Sequence, residues 1–288
     1  MKRYTKTIVV AFGKWLNELS GPGQDVTNWV VKWTAATFFR RYYVHHTMAD
    51  ISPKEIMLGC MLLAAKVEEC RLVTTDGLHV WRDKNYTIQQ IVEAESTVAA
   101  GVTFDLHVFS PSVSLSGLFE LLTSRCTELT QLKSPSVEEA KFVDFANASL
   151  KTLQDKQKRA EILDDLETLM YSDALFLFAP AQLALAAATR GALKEPIKGL
   201  LKLEADEKIQ PFFAKSTVSA EGKLLDAKLE RVRNPLYNRD SEAYKQRLKR
   251  KEEEHMKKQD LKLEKIEQER QQNLQSLGVV AIPQSANQ

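Results

Sequence analysis

The most informative stretch of this sequence is SPKEIMLGCMLLAAKVEE, residues 52–69. Ser52 is a residue type that caps helices, and Pro53 suits the first turn of a helix, where its missing amide hydrogen costs nothing. The residues that follow are apolar on nearly every side, and Gly59 allows a neighbouring helix to approach closely. A surface helix would show a polar face. We therefore predict that residues 52–69 form the buried central helix of a helical domain.

Lys66 interrupts this apolar stretch near its C-terminal end. The C-terminal end of a helix dipole favours a cation. Two interpretations stay open from the residues alone. Either the aliphatic stem of Lys66 lies on the core while its ammonium group reaches water, or the ammonium group takes part in binding a partner.

Three segments carry a resemblance to a known family. LLAAKVEE, residues 62–69, is similar to the LLA-x-K-x-E-E end of the third helix of a cyclin box. ESTVAAGVTFDL, residues 95–106, follows at the expected distance and resembles the cyclin segment E-x-x-x-L-x-x-L-x-F-x-L. YSDALFLFAPAQLALAAA, residues 171–188, resembles the second cyclin box of the cyclin H type. By this resemblance, which covers roughly residues 8–230, the chain is identified as a member of the cyclin family.

The resemblance implies an all-α fold with tandem cyclin-box repeats of about five helices each, followed by a long charged C-terminal helix. We expect a first cyclin box with its N-terminal helix at residues 1–132, a second box at 133–235, and the charged helix with a loose tail at 236–288. Ser-Pro-Ser at residues 134–136 is a natural boundary between the boxes. Pro180 starts a small-residue helix to about residue 193, much as Pro53 does, and this echo suggests an internal duplication.

Hydrophobic spacing predicts the remaining elements. Residues 238–275 combine helix formers with opposite charges, which favours one long, largely solvated helix. The helices at 52–69 and 180–193 are expected to be buried more deeply than any others, because they have no polar face. Further helices are predicted over residues 4–19, 25–46, from 87 through Glu95, 110–126, from 137 onward and 163–177, with a loop at 74–77, an extended connector at 103–106 and a surface helix end or insertion at 151–159.

By the same resemblance, the expected function is that of a regulatory subunit that binds and activates a cyclin-dependent protein kinase. Lys66 and Glu95 would hydrogen-bond main-chain groups beside the mobile helix of the kinase, and Phe104 and Leu106 would pack against that helix. The cyclin H type implies the CDK-activating kinase. It also implies general transcription factor H subunits and an assembly factor as partners, and a location in the nucleus that extends to the cytoplasm.

Composition and motifs argue against other classes of protein. The formal net charge of +2 is too balanced for a typical nucleic-acid binder, and no apolar run reaches the roughly 18 residues of a membrane span. Three scattered cysteines without a CxxC pair indicate reduced thiols. No phosphate-binding loop, nucleophile elbow or HExxH helix occurs, and the carboxylates Asp164, Asp165 and Glu167 are interpreted as the wet face of a helix. We therefore expect no membrane or direct nucleic-acid partner, no cofactor, no metal and no enzymatic activity.

Two other functions stay open. The first is a cyclin-box transcription adaptor of the transcription factor IIB type, which would bind DNA or proteins without a kinase. The second is a generic helical scaffold. Copurification with a kinase or retention on DNA would separate these possibilities.

Overall fold

The computed structural model describes residues 25–81, 86–131, 137–214, 228, 231–232, 234–236 and 241–276. Within these residues the fold is all-α, which confirms the predicted fold class, and no strand occurs among them. A π-helical turn at Ile197–Leu201 and a 3-10 helix at Glu207–Phe213 precede the last helix. The α-helices are α1 (Asp25–His45), α2 (Pro53–Val67), α3 (Thr75–Trp81), α4 (Ile88–Gly101), α5 (Pro111–Thr130), α6 (Val137–Gln154), α7 (Lys156–Met170), α8 (Ala174–Leu177), α9 (Pro180–Ala188), α10 (Lys194–Pro196) and α11 (Glu242–Ser276). The predicted helix at 4–19 and the predicted boundary at 134–136 lie outside the described residues.

The helix α2 begins where the sequence predicts. Pro53 occupies its first turn, and the amide groups of Glu55 and Ile56 donate to the main-chain carbonyl of Ser52 at 3.0 and 3.1 Å. The side chain of Ser52 makes no capping hydrogen bond, so Pro53 favours the start of the helix without help from a side-chain cap. Eleven of the fifteen residues of α2 are buried, which confirms the prediction of a core helix.

The close packing of α2 against α4 depends on Gly59. A Cβ atom added to Gly59 would lie 2.5 Å from the main-chain carbon and oxygen of Ala94, a separation that real Cβ atoms do not show. The missing side chain therefore lets the two helix backbones meet, as the sequence suggested. This contact brings α4, with Glu95 next to Ala94, directly against the central helix.

The helix α1 is buried on two sides. Residues 31–40 are all buried. Phe38 and Phe39 belong to a first hydrophobic cluster, whereas Trp29 and Trp33 belong to a second one. The prediction that residues 52–69 and 180–193 would be the most deeply buried is therefore wrong. Because α1 supplies two cores at once, it has even less surface left for water.

The two hydrophobic clusters form the interior of one compact unit, Met1–Arg231. The first cluster combines side chains of α1, α2 and α4. The second combines α1 with α5, α6, α7 and α9, and includes Ile209 and Phe213 of the 3-10 helix. One cluster for each half of the unit agrees with tandem repeats. The division expected at residue 132 falls outside the described residues and stays a prediction.

Some local predictions differ from the structure because a short polar side chain caps a helix. The loop expected at 74–77 is the start of α3, since Thr74 Oγ1 accepts a hydrogen bond from the amide of Gly77 at 3.1 Å. The segment 151–159 is a helix boundary, where Asp155 Oδ1 accepts from two amides of α7 at 2.9 and 3.4 Å. Helix α9 ends at Ala188 rather than near residue 193, and α5 continues to Thr130 rather than to residue 126.

Two of the three carboxylates on α7 make contacts with other side chains of the protein. Arg190 Nε lies 3.3 Å from Asp165 Oδ2, and the Tyr171 hydroxyl donates a hydrogen bond to Glu167. Burial raises the pKa of Tyr171, and the adjacent Glu167 raises it further. Asp164 is exposed, as predicted for a wet face, whereas Asp165 and Glu167 are only partly exposed and also contact neighbouring side chains. The predicted helix at 163–177 is divided at residues 171–173 into α7 and α8.

A second compact unit covers Val232–Gln288 and contains α11. This helix is 35 residues long, which confirms the predicted long charged helix. Arg247 Nη1 donates to the carbonyl of Leu236 at 3.0 Å within this unit. Five large apolar side chains along the described part of α11 are exposed: Leu248, Met256, Leu261, Leu263 and Ile266.

Candidate functional site

Lys66 and Glu95, the two polar residues singled out by the sequence, form an ion pair. Lys66 Nζ lies 2.7 Å from both carboxylate oxygens of Glu95. The Lys66 side chain is 59% exposed, but that of Glu95 is only 11% exposed. The pair thus consists of an accessible cation held by an anchored, nearly buried anion.

Local geometry explains why the two side chains meet. A capping box starts α4, in which Thr87 Oγ1 accepts from the amide of Gln90 and Gln90 Oε1 accepts from the amide of Thr87. Side chains of a helix lean toward its N-terminus. Lys66, near the C-terminal end of α2, therefore reaches back along the surface where Gly59 has admitted α4. Glu95 lies in the middle of α4 and not at a helix end. It meets Lys66 there because α2 packs against the middle of α4, where Gly59 lies next to Ala94.

Glu68 also contributes to this region, although sequence reasoning gave it no role. The hydroxyl group of Thr34 on α1 donates to Glu68 Oε1 at 2.6 Å, and Thr34 is completely buried. The next residue, Glu69, adopts a left-handed conformation with φ 54° and ends the helical path. The end of α2 that carries Lys66 is thereby tied to α1.

The connector after α4 turns sharply before it extends. Thr103 and Phe104 both have left-handed backbones, with φ of 56° and 57°, and the amide of Phe104 donates to the carbonyl of Ala99 at 2.9 Å. The Phe104 side chain projects outward and is 70% exposed. Leu106 is half-buried and packs on the first cluster. The extended connector predicted at 103–106 is therefore wrong at its first two residues, and this turn exposes Phe104.

Arg41 of α1 braces the following residues. Its Nη1 atom donates to the carbonyls of Asp105 and His107 at 3.0 and 3.3 Å, and it lies 3.4 Å from Asp105 Oδ2. No local pattern could have predicted this contact, since Arg41 is 64 residues from Asp105 in the sequence. Arg41 therefore holds the segment after Phe104 in place through main-chain carbonyl groups.

The neighbouring Arg40 connects the two halves of the first unit. Its guanidinium donates to the carbonyl of Tyr171 at 3.0 Å and to Asp173, and it lies over the ring of Phe176 at 5.4 Å. Arg40 is 1% exposed, and its Nε atom has no hydrogen-bond partner among the described residues. Burial lowers the pKa of Arg40, and Asp173 opposes that shift. Arg40 thus connects the two halves of the first unit, whereas the adjacent Arg41 holds the segment after Phe104.

Other kinds of site find little support in the described part of the chain. No group of three or more His, Cys, Asp and Glu side chains there could hold a metal ion. Burial raises the pKa of Cys60 and of Cys126, which keeps both thiols protonated and unreactive. None of the described helices combines the length and the apolar character needed to cross a bilayer.

Known proteins share both sequence and fold with this chain. Residues 26–107 match the family described as "Cyclin, N-terminal domain". A probable cyclin-H of Echinococcus multilocularis is 28% identical over 238 residues, which cover 73% of this chain and 68% of that protein. Cyclin-H1-1 of Arabidopsis thaliana is 29% identical over 157 residues, which cover 53% of this chain and 39% of that protein.

A solved structure is similar over more of the chain. One chain in a structure of the CAK complex of Chaetomium thermophilum, bound to ATP-gamma-S, has a TM-score of 0.50 and 21% identity. The match covers 86% of this chain and 78% of that one. At this identity the similarity concerns the fold. It therefore supports the helical architecture of both halves of the first unit.

Proposed function

We propose that this chain is a cyclin, a regulatory subunit that binds and activates a cyclin-dependent protein kinase, because residues 26–107 match the cyclin N-terminal domain and two relatives named cyclin-H are 28% and 29% identical to it. The observation that carries the proposal is the Lys66–Glu95 pair with exposed Phe104 nearby. Ala99, whose carbonyl holds the turn at Phe104, follows Glu95 by one helical turn, a rise of about 6 Å. The turn that carries Phe104 is therefore bonded to α4 one helical turn from Glu95, and we propose that the charged donor and the apolar anchor share one surface.

The chemistry of the pair suits recognition of a main chain. An ammonium group carries three N–H donors, so Lys66 keeps at least one for a kinase carbonyl while it remains paired with Glu95. The nearly buried Glu95 fixes the position of the ammonium group. Phe104 adds apolar area beside this donor, and the half-buried Leu106 supports the connector from below. These four residues form the proposed kinase-binding site.

Activation requires no catalytic group from this chain. In protein kinases a glutamate on a mobile helix must pair with the lysine that positions ATP. A rigid surface that binds this mobile helix favours the active arrangement by binding it more tightly than the inactive one. The buried helices α1 and α2 supply the necessary rigidity. The protein is thus proposed to regulate catalysis without performing it.

The cyclin H relationship specifies the assembly. We propose that the kinase is the CDK-activating kinase and that the complex joins general transcription factor H, with an assembly factor as a further partner. The relatives named cyclin-H support this choice. A subunit of a transcription kinase acts in the nucleus, so the proposed location is nuclear.

The test uses the full chain and its copurifying kinase. Lys66→Ala and Glu95→Ala should each weaken kinase binding by about 2 to 5 kcal/mol, as expected for loss of one partner of a buried charged contact. Lys54→Ala removes an exposed lysine from the first turn of the same helix and should leave binding unchanged. Binding is measured by calorimetry, and kinase activity by phosphate transfer in a reconstituted assay.

Two results would contradict the proposal. If the Lys66 and Glu95 variants lose thermal stability while kinase affinity is unchanged, the pair only supports packing. If a pull-down from native extract retains DNA and no kinase, the transcription adaptor becomes the better assignment.

A further inference from the structure

Residues 105–109 form an extended strip with two different sides. Leu106 and Val108 are half-buried and pack on the hydrophobic clusters, whereas Asp105, His107 and Phe109 are exposed. This alternation is that of an extended chain, in which successive side chains point to opposite sides. Phe109 therefore faces outward because of the register of the strip, and its exposure is not due to a frayed end.

The main chain on both sides of Phe109 is fixed. Arg41 holds the carbonyls of Asp105 and His107 before it. After it, Ser110 is buried and caps α5, where its hydroxyl group accepts from the amide of Ser112 at 3.3 Å. The ring of Phe109 also meets His107 edge to face, with ring centroids 4.3 Å apart. Phe109 is therefore held in place even though its side chain is 68% exposed.

An aromatic side chain fixed in this way is suited to bind a protein. The exposed apolar area of Phe109 packs against neither hydrophobic cluster. Because the main chain around Phe109 is already fixed, little of its conformational freedom remains to be lost on binding. Val113 is a second exposed apolar side chain in this part of the chain, since it lies in the first turn of α5, four residues after Phe109. The only charged neighbour on the strip, Asp105, already pairs with Arg41. A partner that binds Phe109 and Val113 should therefore present an uncharged, apolar recess to them.

We propose that Phe109 and Val113 are a second contact for the same kinase that binds Lys66, Glu95 and Phe104. This inference rests on the proposed function and extends its site. Phe109 lies five positions after Phe104 in the chain, so the Cα atoms that carry the two rings are within about 17 Å of each other. One side of a protein interface of standard size, about 800 Å², is roughly 30 Å across. A single kinase is therefore large enough to reach both aromatic rings.

Photocrosslinking tests which protein covers Phe109 without removing an aromatic ring. Benzoylphenylalanine is placed at position 104, 109 or 142 of the full chain, which is then mixed with the catalytic subunit of the CDK-activating kinase. Phe142 is an exposed phenylalanine on α6 and serves as the matched control. Positions 104 and 109 should both crosslink to the kinase, and position 142 should not. A crosslink from position 109 to a second copy of this chain, or no crosslink from it, overturns the inference.

Affinity measurements provide the second test. Phe109→Ser should weaken kinase binding about tenfold or more, as loss of an aromatic anchor does, and Val113→Ser should have a smaller effect in the same direction. Phe142→Ser should leave affinity unchanged, and circular dichroism should show the same helix content for all three variants. If Lys66→Ala weakens binding while Phe109→Ser does not, this inference fails and the proposed function stands. If the unsubstituted chain binds no kinase, both fail.

Discussion

Arg40 is a buried cation whose partner is a largely exposed anion. The Asp173 side chain is 65% exposed, whereas that of Arg40 is 1% exposed. Water can therefore solvate the carboxylate when its partner is removed, but it has little access to the guanidinium group. The two residues of this ion pair should not tolerate substitution equally.

We expect Asp173→Ala to lower the free energy of unfolding more than Arg40→Met. The first change leaves a buried cation without its anion and should cost about 2 kcal/mol, while the second leaves a hydrated carboxylate and one unpaired carbonyl, at about 1 kcal/mol. Urea denaturation of the full chain measures both. Arg71→Met, which removes an exposed arginine, should change stability by less than about 0.5 kcal/mol. The opposite order for Asp173 and Arg40 would mean that water reaches the guanidinium group.

At the scale of helices, the contact between α2 and α4 determines where Lys66 and Glu95 meet. At Gly59 the two backbones approach so closely that a Cβ atom would lie 2.5 Å from the main chain of Ala94. A glycine inside a helix ordinarily reduces stability by about 1 kcal/mol relative to alanine. Gly59 fits this position in spite of that cost, because the main chain of α4 occupies the space that a side chain would need.

We therefore predict opposite effects for two glycine substitutions. Gly59→Ala should destabilise the protein by about 1 to 3 kcal/mol, since the added methyl group forces α2 and α4 apart. Gly117→Ala on α5 should stabilise it by up to about 1 kcal/mol, because no atom lies within 4 Å of the added Cβ. Thermal unfolding followed by circular dichroism distinguishes the two. A stable Gly59→Ala variant with full kinase binding would show that the helix contact is adaptable.

The starts of several helices could be predicted from the sequence. Pro53, Thr87 and Pro111 mark helix starts through local chemistry, and each marks one in the structure. Thr74 and Asp155 act just as locally, but a short polar residue in a charged or glycine-containing stretch is common and did not distinguish a cap from a loop. The helix starts were therefore predictable wherever proline or a complete capping box reinforced the signal.

The long-range contacts of the site could not be predicted in this way. The pairing of Lys66 with Glu95 joins residues 29 positions apart, and Arg40 reaches residues 131 and 133 positions away. The family resemblance predicts that Lys66 and Glu95 bind a kinase, yet it did not indicate that they bind each other. Phe104 was predicted to contact a partner, but its left-handed turn, which produces its exposure, has no signature in non-glycine residues.

At the scale of the whole molecule, α11 is a long charged helix that adds little core. Its apolar side chains from Met256 to Ile266 are exposed, so little hydrophobic stabilisation depends on them. Truncation after Lys251 should preserve both the melting temperature and kinase activation in a reconstituted assay. The full chain in the same assay is the control. A large loss of either property would mean that this helix is a structural brace or an arm that binds a partner.

The two-sided burial of α1 has a consequence for cooperativity. Phe38 and Phe39 on one side and Trp29 and Trp33 on the other cannot leave their clusters separately, because one rigid helix carries all four. Loosening either half of the first unit therefore withdraws support from the other half, and intermediates with a single intact half are disfavoured. A chain that lost its second half by proteolysis or altered splicing would display a pair of bare tryptophans. Such a fragment would be prone to aggregation and would be removed by chaperones and proteases before it could occupy a kinase unproductively.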